Sequence, residues 1–540
     1  MSHAQRLSEL NRQIMWHRLI AVVEEQAQSL IRTAFSPIVR ECGDVSAGVF
    51  DIQGRMLAQA VTGTPGHINS MAASVKHFIR HFPIETMRSG DVYVMNDPWL
   101  GTGHLNDFVV TTPVFHRDRL LAIFSCTSHL TDIGGLGFGP DGTDVYMEGL
   151  SVPFLRLFDQ GRLNETLIAI LKQNSRLPVD AEGDVYSLAN CNEIGGRRLI
   201  EMMDEFHVDT LDSLAEHILA ASQAAVLERI RALPRGTFHY SMMVDGYEEP
   251  IRLAAALTIG AQSIEVDFTG TSPASRRGIN VPLIYTTAYT VFGLTCAIAP
   301  EIPSNAGSLA PFRVTAPEGT ILNALRPAPV SARHVIGQMM PDVVFGCLSH
   351  VLPERVPVEG TSCLWNMMFR GRGADPFSIT VVTNGGTGAR PNKDGLSATA
   401  YPSGVKGSPI ETVEAATPLL FWKKELRAGS GGNGRFRGGN GLEMEIENRS
   451  NDPVELLAAF DRLHYPARGR NGGGNGARGE IYLKDSARAL AGKGLQEVPP
   501  GTRLVVRTPG GGGIGSPSER PDALKARDAA HDVLQAGDAR

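Results

Sequence analysis

Two stretches of the chain carry apolar residues at the three- and four-residue spacing that is typical of an amphipathic helix. The first covers residues 5–34, and its apolar positions are Leu7, Leu10, Ile14, Val22, Val23, Leu30 and Ile31. The second covers residues 194–233 and is followed by Pro234 and Gly236, which commonly end helices. We therefore predict a long helix near the start of the chain and a helical block before its middle.

Short apolar runs between Gly, Pro and Asp residues occupy much of the remaining chain and predict β-strands. These runs are residues 47–52, 91–95, 108–115, 120–125, 239–244, 251–258 and 263–268. Towards the C-terminus, short strands alternate with glycine clusters at residues 429–441, 469–476 and 510–515. The clusters have no fixed period, which argues against a solenoid. Because glycine adopts positive φ angles freely, we interpret them as tight turns of a β-rich domain.

Together these elements predict a multidomain α+β protein, since 540 residues are too many for one ordinary hydrophobic core. We expect it to be β-rich, with a helical insertion and a glycine-rich β C-terminal domain. The expected parts are an N-terminal domain (1–190), a helical segment (191–235), a central mixed α/β region (236–425), a glycine-rich β domain (426–517) and a tail (518–540). The tail is expected to be an exposed helix or frayed.

Composition narrows the class of protein. With 42% hydrophobic and 20% charged residues the chain has globular composition, and a net charge of -6 gives no general attraction to nucleic acid or anionic membranes. No apolar run approaches the roughly 20 residues of a membrane span, and the first 28 residues contain no signal-peptide core. We therefore expect a cytoplasmic protein. The six cysteines form no CxxC pair, so we expect reduced, mostly buried thiols rather than a zinc ribbon.

Histidine and aspartate residues are densest between positions 91 and 144, in loops that follow predicted strands. His104 and Asp107 are three residues apart, so a single turn lets their side chains converge. His129 follows the predicted strand 120–125, which could pair with the strand 108–115 and end at the same edge of the sheet. Two imidazoles and one carboxylate suit a divalent cation with open positions for water or substrate.

Three further aspartates extend this candidate metal site. Asp44 begins another predicted strand and could supply a carboxylate ligand, while Asp97 and Asp132 could orient imidazole N–H groups. The alternative is that these histidines and aspartates only form hydrogen bonds within turns. Because His-x-x-Asp is a weak pattern, the spacing alone does not decide between a metal site and turns.

Ten segments, in chain order, resemble the hydantoinase B/5-oxoprolinase family, which includes N-methylhydantoinase B subunits and similar acetone and acetophenone carboxylase subunits. Among them, Ser-His-Leu-Thr-Asp-Ile-Gly-Gly at residues 128–135 resembles that family's histidine segment. The others are residues 40–46, 96–98, 103–107, 148–150, 267–272, 305–307, 385–390, 432–439 and 508–513. The resemblance covers about residues 10–517. Departures such as Val45 and Trp99 leave the proposed ligands intact but leave the substrate open.

The resemblance implies a divalent metal held by His104, Asp107 and His129, with Asp44 as a further ligand. It also implies a partner, a hydantoinase A-like subunit that uses ATP and Mg²⁺ to phosphorylate a small cyclic amide. This chain would then open the ring of the lactam, hydantoin or 5-oxoproline, with the metal as Lewis acid and Asp44 or Asp97 as general base. Zinc, manganese and iron all suit such ligands.

Two alternatives stay open. The chain could belong to an ATP-dependent carboxylase whose substrate is a ketone, or it could be a non-catalytic scaffold with a structural metal. A ligand set without cysteine favours a catalytic over a structural site. The sequence contains no Walker A motif, so ATP use is assigned to the partner, and no GxSxG motif, so Ser–His–Asp hydrolysis has no support. We therefore expect a hetero-oligomer.

Overall fold

The structure, a computed structural model, describes residues 9–373 and 375–531. The described helices are α1 Glu9–Thr33, α2 Pro37–Arg40, α3 Pro65–His81, α4 Glu165–Asn174, α5 Pro178–Glu205, α6 Asp212–Arg231, α7 Leu283–Ile298, α8 Ala306–Leu309, α9 His334–Gly337, α10 Met340–Leu348, α11 Ile410–Ala416 and α12 Asp522–Ala530. Short 3-10 helices cover Ile84–Thr86, Val145–Met147 and Pro517–Glu519. Within the described residues, no helix has the length and hydropathy that crossing a membrane requires.

Twenty strands are present in the described part of the chain. They are β1 Val45–Phe50, β2 Met56–Gln59, β3 Val92–Met95, β4 Asp107–His116, β5 Arg119–His129, β6 Leu155–Asp159, β7 Arg162–Leu163, β8 Gly236–Val244, β9 Ile251–Ile259, β10 Ile264–Asp267, β11 Phe312–Thr315, β12 Trp365–Gly371, β13 Phe377–Thr383, β14 Leu419–Leu426, β15 Leu442–Asn448, β16 Val454–Ala459, β17 Glu480–Leu483, β18 Arg488–Ala489, β19 Lys493–Val498 and β20 Arg503–Arg507. The predicted α+β class is confirmed.

The first sheet has seven antiparallel strands in the order β2-β1-β5-β4-β3-β6-β7. Helices cover both of its faces, so its strands are apolar on both sides. On one face, Val49 and Phe124 pack with α1 and α5, and on the other, Phe50 and Ile123 pack with α3. This double burial fixes the ends of β4 and β5, where the predicted site lies.

The helix prediction is confirmed for α1, although Leu7 and the rest of residues 5–8 lie outside the described residues. The second predicted helical stretch differs. Residues 194–233 contain the end of α5, a break, and α6, and α5 begins well upstream at Pro178. The first half of α5 buries small and polar residues such as Gly183 and Asp184 beside its apolar positions Val185 and Leu188, which obscures the apolar pattern in the sequence. Of the tail, residues 532–540 lie outside the described residues.

Three more sheets follow along the chain. The central sheet, β11-β10-β9-β8, packs against α7 and α10, and Tyr285 and Tyr289 of α7 lie against Gly66 of α3. Sheets β13-β12-β16-β19 and β14-β15-β20-β17-β18 form the C-terminal half. The close contact between α3 and α7 joins the first sheet to the central region. The predicted domain boundaries stay a prediction.

The three glycine clusters, here called the glycine core (residues 429–441, 469–476 and 510–515), lie together. Segment 510–513 hydrogen-bonds to both other clusters, through Gly432 N to Gly511 O, Gly511 N to Gly439 O, and Gly513 N to Gly474 O. Among the glycines of these clusters, only Gly429, Gly472 and Gly515 have positive φ. Interpreting the clusters as turns was therefore wrong for most of their glycines. Most of these glycines are needed because the backbone of a neighbouring segment lies where the Cβ atom of any other residue would be.

Candidate metal centre

The antiparallel pair β4 and β5 brings the predicted ligands together. Asp107, the first residue of β4, lies opposite His129, the last residue of β5. His104 precedes β4, and the turn between them returns its imidazole to the Asp107 carboxylate. Ligand atoms of the three side chains all lie within 4.8 Å of one another, and all three residues are buried. The structure thus places His104, Asp107 and His129 in one cluster.

The orientation of His104 leaves one ring nitrogen available as a metal ligand. Its Nδ1 lies 2.9 Å from Ser331 O, which can only accept, so a neutral ring carries its proton at Nδ1. Burial, aided by the positive charge of Arg333, lowers the pKa of His104 to about 3, so the ring is neutral. Its Nε2 then faces Asp107 Oδ1 at 2.7 Å, lone pair against lone pair. A divalent cation would resolve this opposition, and the donor set therefore fits a metal.

The second oxygen of Asp107 is held by the protein's own cations. Oδ2 accepts a hydrogen bond from Arg333 Nη2 at 2.5 Å and lies 3.0 Å from His67 Nε2. Burial alone would raise the pKa of Asp107, but the nearby His67 imidazole and the Arg333 guanidinium outweigh it and hold the pKa well below its usual range. Asp107 is therefore an oriented carboxylate anion whose Oδ1 points at the two other ligands.

Arg333 reaches the cluster from the central region, 226 residues after Asp107. Its Nε donates to Thr102 O at 2.7 Å, and its guanidinium lies 4.1 Å from the centre of the Tyr285 ring. Gly103 makes room for this arginine. The φ of Gly103 is +96°, and an added Cβ would lie 2.6 Å from Arg333 Cδ. The centre therefore depends on both the first sheet and the central region.

Asp44 lies beside the cluster. Its Oδ1 accepts a hydrogen bond from Thr64 Oγ1 at 3.0 Å and lies 3.4 Å from His67 Nδ1. His67 also contacts Asp107, so one imidazole connects Asp44 to the cluster. Burial would lower the pKa of His67, but Asp107 and Asp44 outweigh it and raise that pKa. The ligand and base roles of Asp44 stay predictions.

Asp97 and Asp132 have other partners than the imidazoles they were expected to orient. Asp97 accepts hydrogen bonds from the backbone N–H groups of Trp99 and Leu100 and pairs with Arg326 at 2.5 Å. Asp132 accepts from Gly134 N and from the backbone and guanidinium of Arg176. Both carboxylates fix loops, and Ser331 O takes the expected place beside His104.

Three residues of the centre escaped sequence reasoning: His67, Ser331 and Arg333. His67 lies on α3, and the other two lie in the loop before α9. Each meets the cluster only through tertiary packing, so no local spacing could identify them. Their only sequence signal was a place in polar, histidine-containing segments, which does not distinguish a site from a turn.

Glu148 supports the loop that presents Ser331. Its Oε1 accepts hydrogen bonds from Val330 N at 2.7 Å and Ser331 N at 2.8 Å, while its buried Oε2 has no partner among the described residues. Burial raises the pKa of Glu148 to about 8, although the two backbone donors oppose the shift. The carboxyl is thus protonated over part of the neutral range, and its ionisation costs folding free energy.

We expect this cost to appear as a pH dependence of stability. Because the pKa of Glu148 is higher in the folded than in the unfolded chain, the folded state binds more protons between about pH 4.5 and 8, and the free energy of unfolding falls across that window. In Glu148→Gln, urea denaturation from pH 5 to 8 should show a fall smaller by roughly 2–5 kcal/mol. The exposed carboxylate variant Glu318→Gln should follow wild type. Parallel curves for Glu148→Gln and wild type would contradict this.

Comparison with known proteins shows the family to which the chain belongs. A sequence model of the Hydantoinase B/oxoprolinase family matches residues 8–517. An uncharacterized protein of Methanocaldococcus jannaschii is 31% identical to this chain. The alignment covers 92% of this chain and 89% of that protein. Caprolactamase subunit beta of Pseudomonas jessenii is 27% identical to this chain. That alignment covers 96% of this chain and 92% of the relative.

The fold is shared with a solved structure as well. The crystal structure of the ATP-dependent caprolactamase from Pseudomonas jessenii superposes with a TM-score of 0.89 at 26% sequence identity, covering 98% of this chain and 95% of that chain. The family match spans nearly the whole chain, including every residue of the cluster. The chain belongs to the hydantoinase B/oxoprolinase family.

Proposed function

We propose that this chain is the metal-bearing subunit of an ATP-dependent enzyme that opens a cyclic amide, with a hydantoinase A-like subunit as its partner. The observation that carries the proposal is the buried cluster of His104, Asp107 and His129. Family membership and the similarity to an ATP-dependent caprolactamase support the reaction class. Without a Walker A motif in this chain, ATP chemistry falls to the partner.

A divalent ion held by His104, Asp107 and His129 would supply a Lewis acid for the substrate carbonyl. The residues around it have separate tasks. Ser331 O holds the His104 proton at Nδ1, which keeps Nε2 free as a ligand. Arg333 binds Asp107 Oδ2, which fixes the direction of Oδ1. Burial of the whole cluster excludes bulk water, which strengthens these interactions.

Asp44 is our choice for the general base. It connects to the cluster through His67, with 3.4 Å and 3.0 Å between successive polar atoms, so the imidazole holds the Asp44 carboxylate beside the cluster. Asp97, the other predicted base, is already paired with Arg326 and bound to two backbone N–H groups. The geometry therefore favours Asp44 over Asp97.

The test is turnover by the chain assembled with its ATP-using partner. With ε-caprolactam, hydantoin or 5-oxoproline, we expect ATP hydrolysis that depends on the cyclic amide and yields the ring-opened acid, and that stops when a chelator removes the metal. ATP hydrolysis that requires bicarbonate and a ketone would replace this proposal with the carboxylase. Turnover unaffected by complete metal removal would assign the metal a structural role and sink the metal-bearing part of the proposal.

A further inference from the structure

His334 is a buried histidine whose imidazole has no polar partner within the described residues. It begins α9 and directly follows Arg333, the arginine that binds Asp107. Only 3% of the residue is exposed, and neither Nδ1 nor Nε2 makes a hydrogen bond. Burial, with the positive charge of Arg333, lowers the pKa of His334 well below its usual range, so the ring is neutral.

The ring lies at the metal centre. Phe138 packs among three imidazoles, its ring centre 5.5 Å from that of His334, 4.7 Å from that of His129 and 5.6 Å from that of His104. His129 Nε2 is also buried without a partner. Two of the imidazoles around Phe138, those of His334 and His129, therefore have nitrogens without a hydrogen-bond partner.

Unpartnered buried nitrogens are unusual and need an explanation. Nearly all buried polar side chains are hydrogen-bonded, and leaving one unpaired costs about 1–3 kcal/mol. Among the neighbouring imidazoles, His104 Nδ1 has Ser331 O and His67 Nε2 has Asp107, so each keeps a polar partner, whereas His334 has none among the described residues. A phenyl ring at position 334 would avoid the cost, and both nitrogens of the imidazole are available to a group that the chain does not supply.

His334 lies outside the candidate metal cluster. Within the described residues, ligand atoms of His104, Asp107 and His129 lie within 4.8 Å of one another, and His334 is not part of this group. A neutral imidazole offers one N–H donor and one acceptor. A cyclic amide carries the matching pair, a carbonyl acceptor and an N–H donor.

We propose that His334 hydrogen-bonds the cyclic amide bound at the metal centre. This inference rests on the proposed function and adds a substrate-contacting residue to it. His334 positions the amide group against the cluster, with Phe138 as the apolar wall between the imidazoles.

Two measurements on His334→Phe, the melting temperature and kcat/KM, distinguish a substrate contact from a structural role. Removing an unpartnered buried imidazole should raise the melting temperature of the ligand-free chain by about 1–3 °C. In the assembled enzyme with ATP and whichever of ε-caprolactam, hydantoin or 5-oxoproline is turned over, kcat/KM should fall at least about tenfold. Metal content, measured by mass spectrometry, should stay at the wild-type level.

His217→Phe is the matched control. His217 also has an unpartnered buried nitrogen, Nε2, and an aromatic neighbour, Trp16. Among the described residues, none of the metal centre forms a hydrogen bond, ion pair or ring contact with it. Its kcat/KM should equal that of wild type.

Three outcomes overturn the inference. Unchanged kcat/KM in His334→Phe would remove the substrate contact, lost metal would make His334 a ligand, and a lower melting temperature would make it structural. Each of these leaves the proposed function standing. A wild-type enzyme that binds no metal or opens none of the three amides would instead refute the proposed function, and this inference with it.

Discussion

Replacing His129 by alanine is expected to abolish metal binding while the chain stays folded. One of three clustered donors disappears, and a two-ligand remnant should bind a divalent ion at least about 10²-fold more weakly, since even outer partners of ligands contribute that much. Little structure is lost, because His129 Nε2 has no partner and Nδ1 is only 3.4 Å from Asp107 Oδ1. Roughly one ion per wild-type chain and almost none in the variant should be found by mass spectrometry, and ATP-dependent ring opening should be lost.

Asp528→Ala controls for the removal of a buried charged residue. Asp528 is buried and pairs with Arg437 and Arg520 in the C-terminal part of the chain. Its replacement should lower the melting temperature but leave the metal content unchanged. Full metal content in a folded His129→Ala would show that the cluster is not the site.

Replacing Gly511 by alanine is expected to prevent stable folding. An added Cβ would lie 1.9 Å from Thr387 O and 2.3 Å from Thr387 C, and backbone atoms cannot move aside as a flexible side chain does. The backbones on either side are also joined by hydrogen bonds, Gly511 N to Gly439 O and Gly432 N to Gly511 O. We expect a loss of more than about 4 kcal/mol in the free energy of unfolding, measured by urea denaturation or seen as insoluble protein.

Gly474→Ala is the matched control within the glycine core. Its φ is not positive, and an added Cβ would meet Asn433 N at 3.4 Å and Asn433 O at 3.6 Å, which are ordinary contacts. The variant should fold with a loss of no more than about 1 kcal/mol. Equal losses for Gly511→Ala and Gly474→Ala would mean that backbone freedom, and not the missing Cβ, explains these glycines.

The strands that carry the site could be predicted from the sequence, whereas the start of α5 could not. β4 and β5 are apolar runs with clear ends, so their pairing and the approach of His104, Asp107 and His129 follow from local pattern. The first half of α5 is held by long-range contacts. Asp184 accepts hydrogen bonds from Phe35 N and Ser36 N, and Gly183 packs on Phe35, which no helical periodicity reveals.

The residues that reach the site from elsewhere in the fold could not be predicted from local sequence pattern for the same reason. Arg333 and Ser331 touch the cluster only because α7 packs against α3 and brings the loop before α9 to Gly103. The glycine clusters show a related limit. Their abundance was visible, but a sequence does not tell whether a glycine serves a positive φ or a close backbone contact.

The metal centre includes Arg333, which lies far along the chain from the three ligands. Its parts are therefore synthesised in a fixed order. His104, Asp107 and His129 leave the ribosome about 200 residues before Arg333, a delay of roughly 10–40 s at ordinary elongation rates. During that interval the nascent chain holds all three ligands, but the Asp107 carboxylate has no guanidinium to orient it and His104 has no Ser331 carbonyl to fix its proton. If the chain binds a metal as proposed, selective loading would therefore follow the docking of the central region, when translation is more than half complete.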